Sequence, residues 1–169
     1  SELCSDDVFV RRSTLDLCGI LPTPAESKRF LEDRRPNKRS RWIDELLARP
    51  EYAEQWAHHW GEMLDISLQY RTPKKSAPYL RWLRDEIQRD RPIDELARDI
   101  VKGREIFTDE GPLGFYLGGQ EGPDLASRVA RVFLALRLDC AQCHPHPHAR
   151  VSIDDWHGWV ALFAQIRRG

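Results

Sequence analysis

Apolar residues recur along this chain at three- and four-residue intervals, and proline and glycine cut the pattern into helix-sized pieces. Ser5 or Asp6 can cap a first helix carrying Val8, Phe9, Leu15 and Leu17, and Gly19 ends it. Thr23-Pro24-Ala25-Glu26 reads as a capping box with proline at the first helical position, and the short helix it opens stops near Asp33. Asn37 starts a helix with Trp42, Ile43, Leu46 and Leu47 on one side. Pro50 closes that helix and begins another, from Glu51 to about Ile66. Pro78 is expected to open a helix with Leu80, Leu83 and Ile87 inside and Trp82 flanking. Pro92 opens the next, with Ile93, Leu96, Ile100 and Val101 inside and Gly103 as its stop. Residues 104–123 are rich in glycine and read as a long loop that covers a site. A helix from Pro123 or Asp124 to Leu138 buries Val129, Val132, Phe133 and Leu136 and leads directly into Cys140. Ser152-Ile153-Asp154-Asp155 starts the last helix, with Trp156, Trp159, Val160, Phe163 and Ile166 on its inner side. No segment alternates like a strand and none repeats. The expected fold is all-α, an irregular bundle of about seven helices in one domain over 1–169, with the glycine-rich loop before the motif-bearing helix.

Composition narrows the picture. At 169 residues the chain can bury a real core, and 41% hydrophobic with 31% charged residues describes a soluble globular domain. No apolar run is long enough to cross a membrane, and a net charge of −1 gives no reason to expect a nucleic-acid partner. The segment after Ser1 is polar and charged and does not read as a signal peptide; a mature or excised piece would look the same. Arg34, Arg35, Lys38, Arg39 and Arg41 form a basic run, either a solvated helix face or a docking patch for an acidic partner. Cys4 and Cys18 bracket the first helix, whose length holds them too far apart for a disulfide.

The remaining two cysteines carry the chemistry. Cys140-Ala141-Gln142-Cys143-His144 has the spacing that attaches a c-type haem. Each thiol can add to one vinyl group of the macrocycle, and the adjacent His144 can serve as an axial imidazole ligand. In the helix from Glu51, the residues Trp56, His59, Trp60, Met63 and Leu64 fall on one apolar stripe. His59 is therefore the first candidate for the opposite face of the iron, and Met63, one turn later, the second. His146 stands only two residues from His144, too close to reach the far face, and reads as a hydrogen-bond partner of the site. The alternative is a mononuclear zinc site, with Cys140 and Cys143 joined by two of His144, His146, His148 and His59. A redox dithiol would need a sheet that the pattern does not show.

Several stretches together resemble a known family. They are Phe9-Val10-Arg11-Arg12, Leu15-Asp16-Leu17, Gly19-Ile20-Leu21-Pro22-Thr23-Pro24, the segment 42–47, Trp56-Ala57-His58-His59-Trp60, and Cys140-Ala141-Gln142-Cys143-His144 with His146-Pro147. The chain is similar to the cytochrome-associated domain of unknown function found in large planctomycete proteins. The resemblance implies an exported, periplasmic or cell-envelope protein with a haem-c-like motif. It also implies a flanking cytochrome domain or a separate redox protein as partner. Pro145 and His148 stand where that family commonly has Asp and an aromatic residue.

Overall fold

A computed structural model describes residues 3–64, 73–102, 111, 115–116 and 122–164. Over these the fold is all-α, with eight α-helices, one short 3₁₀ helix and no strand among the described residues. The helices are α1 (Asp6–Cys18), α2 (Pro24–Glu32), α3 (Lys38–Leu47), α4 (Pro50–Met63), α5 (Pro73–Gln88), α6 (Ile93–Lys102), α7 (Gly122–Phe133) and α8 (Ile153–Ala161). The 3₁₀ helix, Leu138–Gln142, lies between α7 and α8. Most of the glycine-rich stretch, Gly103 and Ile166 lie outside the described residues. No described helix is long and apolar enough to cross a membrane.

The local start and stop signals work as their chemistry requires. Gly19 ends α1 at φ 69°, a left-handed conformation in which its N–H donates to the Leu15 carbonyl at 2.9 Å. Thr23 accepts from the Glu26 N–H at 3.2 Å while Glu26 accepts from the Thr23 N–H at 2.7 Å, completing the capping box. Ser152 and Asp155 repeat that exchange at the start of α8.

Two helix boundaries differ most from the sequence reading; α4 also stops at Met63, short of Ile66, and α8 at Ala161, short of Phe163. Pro78 does not open α5 but lies inside it, since the helix starts at Pro73. Placed in the second turn, Pro78 removes one early hydrogen bond and leaves the rest of the ladder intact. Asp90 then ends α5 at φ 51°: its N–H donates to the Ile87 carbonyl at 2.9 Å and the Arg91 N–H to Glu86 at 3.2 Å. This is the Schellman pattern, with aspartate in the place glycine usually takes. The second difference is at α7, which stops at Phe133 instead of continuing to Leu138. Ala135 turns the chain at φ 54°, and the Leu134 and Leu136 N–H groups both donate to the Ala130 carbonyl.

The chain divides into two compact units, Ser1–Trp60 with Leu83–Arg91, and Gly61–Trp82 with Pro92–Gly169. In the first, α1 packs on α2 and α3. Its core is Val10, Cys18, Phe30, Trp42 and Leu46, with Phe9, Leu17 and Tyr52 against it. Phe9 stacks on Phe30 at 5.7 Å between ring centres, and Phe30 meets Trp42 at 5.6 Å. Full burial of such a side chain contributes about 1.5–3 kcal/mol. The basic run is part of this unit's own structure. Lys38 and Arg39 pair with Asp6 at 2.5 and 2.7 Å, and Arg35 pairs with Asp33. Arg39 also lies over the Phe9 ring and Lys38 over Phe30. The buried carboxylate of Glu86 is answered by Arg89 at 2.7 Å and Arg91 at 2.6 Å.

In the second unit, α7 packs on α8, and both pack on the 3₁₀ helix. Ala130, Leu138, Ala141 and Trp156 form this core, with Leu136, Val151, Trp159 and Val160 around it. The Trp159 indole N–H donates to the Ala126 carbonyl at 2.8 Å, tying α8 to α7. The buried face of α7 is Leu125, Ala126, Arg128, Val129 and Ala130, so an arginine stands where the pattern suggested only apolar residues. Arg128 donates to the carbonyls of Leu64 at 3.2 Å and Phe115 at 3.3 Å, and lies over the Phe115 ring at 4.3 Å. Carbonyl dipoles and a ring face thus offset the loss of its hydration.

Candidate cofactor-binding site

The 3₁₀ helix sets the geometry of the motif. With three residues per turn, side chains at i and i+3 fall in one row. Leu138 and Ala141 form the buried row, at 5% and 0% exposure. Cys140 lies in this turn and Cys143 is the residue just past its end, and both cysteines are free and exposed. The same turn therefore anchors the backbone in the core and presents two cysteines outward. An α-helix running into Cys140, as the apolar pattern implied, would spread residues three apart by a further sixty degrees or so.

His144 follows on the exposed side. Its Nδ1 lies 2.9 Å from the Pro145 carbonyl oxygen. A carbonyl only accepts, so Nδ1 carries the proton and Nε2 keeps its lone pair for a metal. Ring-N–H-to-carbonyl contacts of this kind orient many metal-bound histidines.

His146 is engaged at both nitrogens. Its Nε2 donates to the Arg137 carbonyl at 3.0 Å. Its Nδ1 accepts from the backbone N–H groups of His148 at 3.1 Å and Ala149 at 2.9 Å. The His148 side chain is exposed, with its ring edgewise to His146 at 6.4 Å. Asp155 serves the helix cap, where the Ser152 backbone N–H and hydroxyl hold its carboxyl below the usual carboxylate range.

The α4 stripe expected to be apolar is only partly buried, with its histidine and methionine turned outward. Its buried positions are Ala53, Ala57, Gly61 and Leu64, while His59 is exposed and Met63 is 49% exposed. Trp56 and Trp60 are half-buried on the flank. Small residues permit the closest helix approach, so they take the inner line although the larger apolar residues dominate the sequence pattern. His59 Nε2 sits 2.9 Å from the Gln55 side-chain amide nitrogen, and its ring packs edgewise on Trp56 at 5.6 Å.

Two exposed cysteines three residues apart, followed by a histidine whose Nδ1 is bonded to a carbonyl, form a donor set that fits covalent haem attachment. For zinc, His146 is not a ready ligand. Among the described residues no three His, Cys, Asp or Glu side chains are grouped as metal ligands, and His146 has no nitrogen to spare. The Arg137 and Pro145 carbonyls that orient the two histidines had no signal in the sequence, because they are backbone atoms.

The class of protein is an all-α domain that carries an exposed Cys-x-x-Cys-His segment. The chain matches the PSCyt2 family, described as a protein of unknown function (DUF1549), over residues 1–168, and belongs to that family. No curated protein and no solved structure matches the chain.

Proposed function

We propose that the chain carries one covalent c-type haem, attached through Cys140 and Cys143 with His144 as axial ligand, and serves electron transfer within a multidomain exported protein. The observation that carries this reading is the shared exposed turn: two free thiols and, beside them, an imidazole whose Nδ1 is tied to a carbonyl. When bound, the haem supplies a one-electron Fe(III)/Fe(II) couple. The chain's own residues do the rest. Leu138 and Ala141 fix the turn in the core, the cysteines would hold the ring edge, and the Pro145 carbonyl accepts from the His144 ring and leaves its Nε2 for the iron. His59, then Met63, are the proposed ligands for the opposite face; the thioether would raise the potential. Electrons would pass to a flanking cytochrome domain or a separate redox protein. Attachment of c-type haem takes place outside the bacterial cytoplasm, which is the ground for proposing the periplasm or cell envelope as its location.

The test is expression in a host with haem c maturation, followed by the visible spectrum and the mass of the denatured protein. Haem that survives acid extraction, and is lost in the Cys140→Ala/Cys143→Ala double variant, supports the reading. A colourless protein with stoichiometric zinc would sink it. Replacing His59 by Ala should then alter the ligand-field bands; an unchanged spectrum removes His59 from the iron.

A further inference from the structure

We infer that His146 is a positioning residue, an imidazole clasp that closes the loop presenting Cys140, Cys143 and His144 and ligates nothing itself. Four hydrogen bonds meet at this one residue. Its backbone N–H donates to the Val151 carbonyl at 2.9 Å. Its Nε2 donates to the Arg137 carbonyl, and its Nδ1 accepts from the His148 and Ala149 amides. Carbonyls only accept and amides only donate, so these partners select one tautomer, with the proton on Nε2. The other tautomer would set N–H against N–H on one side and leave two acceptors facing on the other.

The positions of the partners give the clasp its purpose. Arg137 is the residue just before the 3₁₀ turn, and His146 comes two residues after His144. The Nε2 bond therefore joins the two ends of a loop that contains both cysteines and His144. Without it, the far side of the loop has no hydrogen bond back to the chain entering the turn among the side-chain contacts of 144–148. Pro145 and Pro147 flank the ring on either side; each fixes its own φ and brings no N–H that needs a partner. Closing a loop of this size costs ordering entropy, and a bond at its base offsets part of it before any ligand arrives. The neighbouring histidines differ in kind: His144 has one nitrogen free, while His146 has none.

The effect on haem rests on the proposed function, but the clasp does not, and the experiment separates them. Imidazole nitrogen NMR on the full chain without haem, at neutral pH, should show His146 protonated at Nε2 and bare at Nδ1, with slowed exchange at the His148 and Ala149 amides. A proton on Nδ1, or unprotected amides, would overturn the clasp whether or not haem ever binds. Two variants divide its parts. In His146→Asn the side-chain oxygen takes the place of Nδ1 and the reach to Arg137 is lost. In His146→Gln the side-chain amide takes the place of Nε2 and the two accepted bonds are lost. The Gln variant should exchange the two amides roughly three- to tenfold faster, the equivalent of one modest hydrogen bond, and the Asn variant should not. In haem-loaded protein the Asn variant should lower the yield of covalent haem roughly tenfold or split the ferric EPR signal into several species. His148→Ala, which keeps its backbone amide, should leave both unchanged. A wild-type yield and a single wild-type EPR signal in His146→Asn would show that the Arg137 bond positions nothing. If even the wild-type chain takes up no haem, the proposed function fails while the tautomer and the exchange rates still judge the clasp.

Discussion

Around α1, α2 and α3, charged side chains find their partners inside the fold. Asp6 holds both Lys38 and Arg39, Asp33 holds Arg35, and Glu26 and Glu51 share Arg49. Lys38 and Arg39 also lie over the core rings of Phe30 and Phe9. Around the 3₁₀ turn the opposite holds. Cys140, Cys143 and His144 face outward, and the histidines there are held by backbone carbonyls and amides instead of by opposite charges. One region uses its polar groups for its own cohesion; the other keeps its reactive groups available and lets the backbone aim them. Carbonyls suit that second task because they fix a ring's tautomer without adding a charge beside it.

The largest effect should come from removing the first region's aromatic core. Trp42→Ala should cost about 3–5 kcal/mol, because it deletes a buried ring that contacts Phe30. Denaturant unfolding measures it, and a loss below about 1 kcal/mol would mean that the α1–α3 core is not the stabilising one.

Acid should act on the same region. Lys38 and Arg39 hold the Asp6 carboxyl below its ordinary range, Ser5 does so for Asp7, and Arg49 for Glu51. The Thr23 backbone N–H lowers Glu26, and Arg35 pushes Asp33 down to about 2. An acid lowered in the folded state binds fewer protons than the unfolded chain does between the two pKa values. Its stabilisation is therefore present above the ordinary carboxylate range, near 4, and is lost as pH falls through the folded values. Residue-resolved NMR during acidification should lose the α1–α3 signals before those of α7 and α8, where Asp155 alone among the described groups shows such lowering. The reverse order would refute the contrast.

The two left-handed residues give a smaller, paired test. A side chain at Gly19 would take a disfavoured φ and collide with the Gln55 amide, so Gly19→Ala should destabilise by about 1–2 kcal/mol. Ala135 already bears that conformational strain at φ 54°. Ala135→Gly should therefore stabilise by about 0.5–1 kcal/mol, the smallest effect of the set, since glycine also loses more chain entropy on folding. Melting temperatures measured side by side should move in opposite directions; a fall in both would mean that the Ala135 turn is held by more than its backbone.

What could be read directly from the sequence was local. The helical class, the caps at Gly19, Thr23 and Ser152, and the separation of Cys4 from Cys18 all depend on residues within about four positions of one another or on helix length. The Cys-x-x-Cys-His spacing is likewise a property of five neighbouring residues. The tertiary structure decided the rest. It turned α4 so that alanines face in and His59 and Met63 face out, because close packing selects small residues that a count of large apolar ones overlooks. It ended α7 at Phe133 through an alanine with no glycine or proline to announce the stop. It also buried Arg128 on carbonyls remote in sequence. Above all it sorted three histidines that look alike in the chain. A ring's role depends on which carbonyl or amide meets each nitrogen, and for His146 that carbonyl belongs to Arg137, on the other side of the motif.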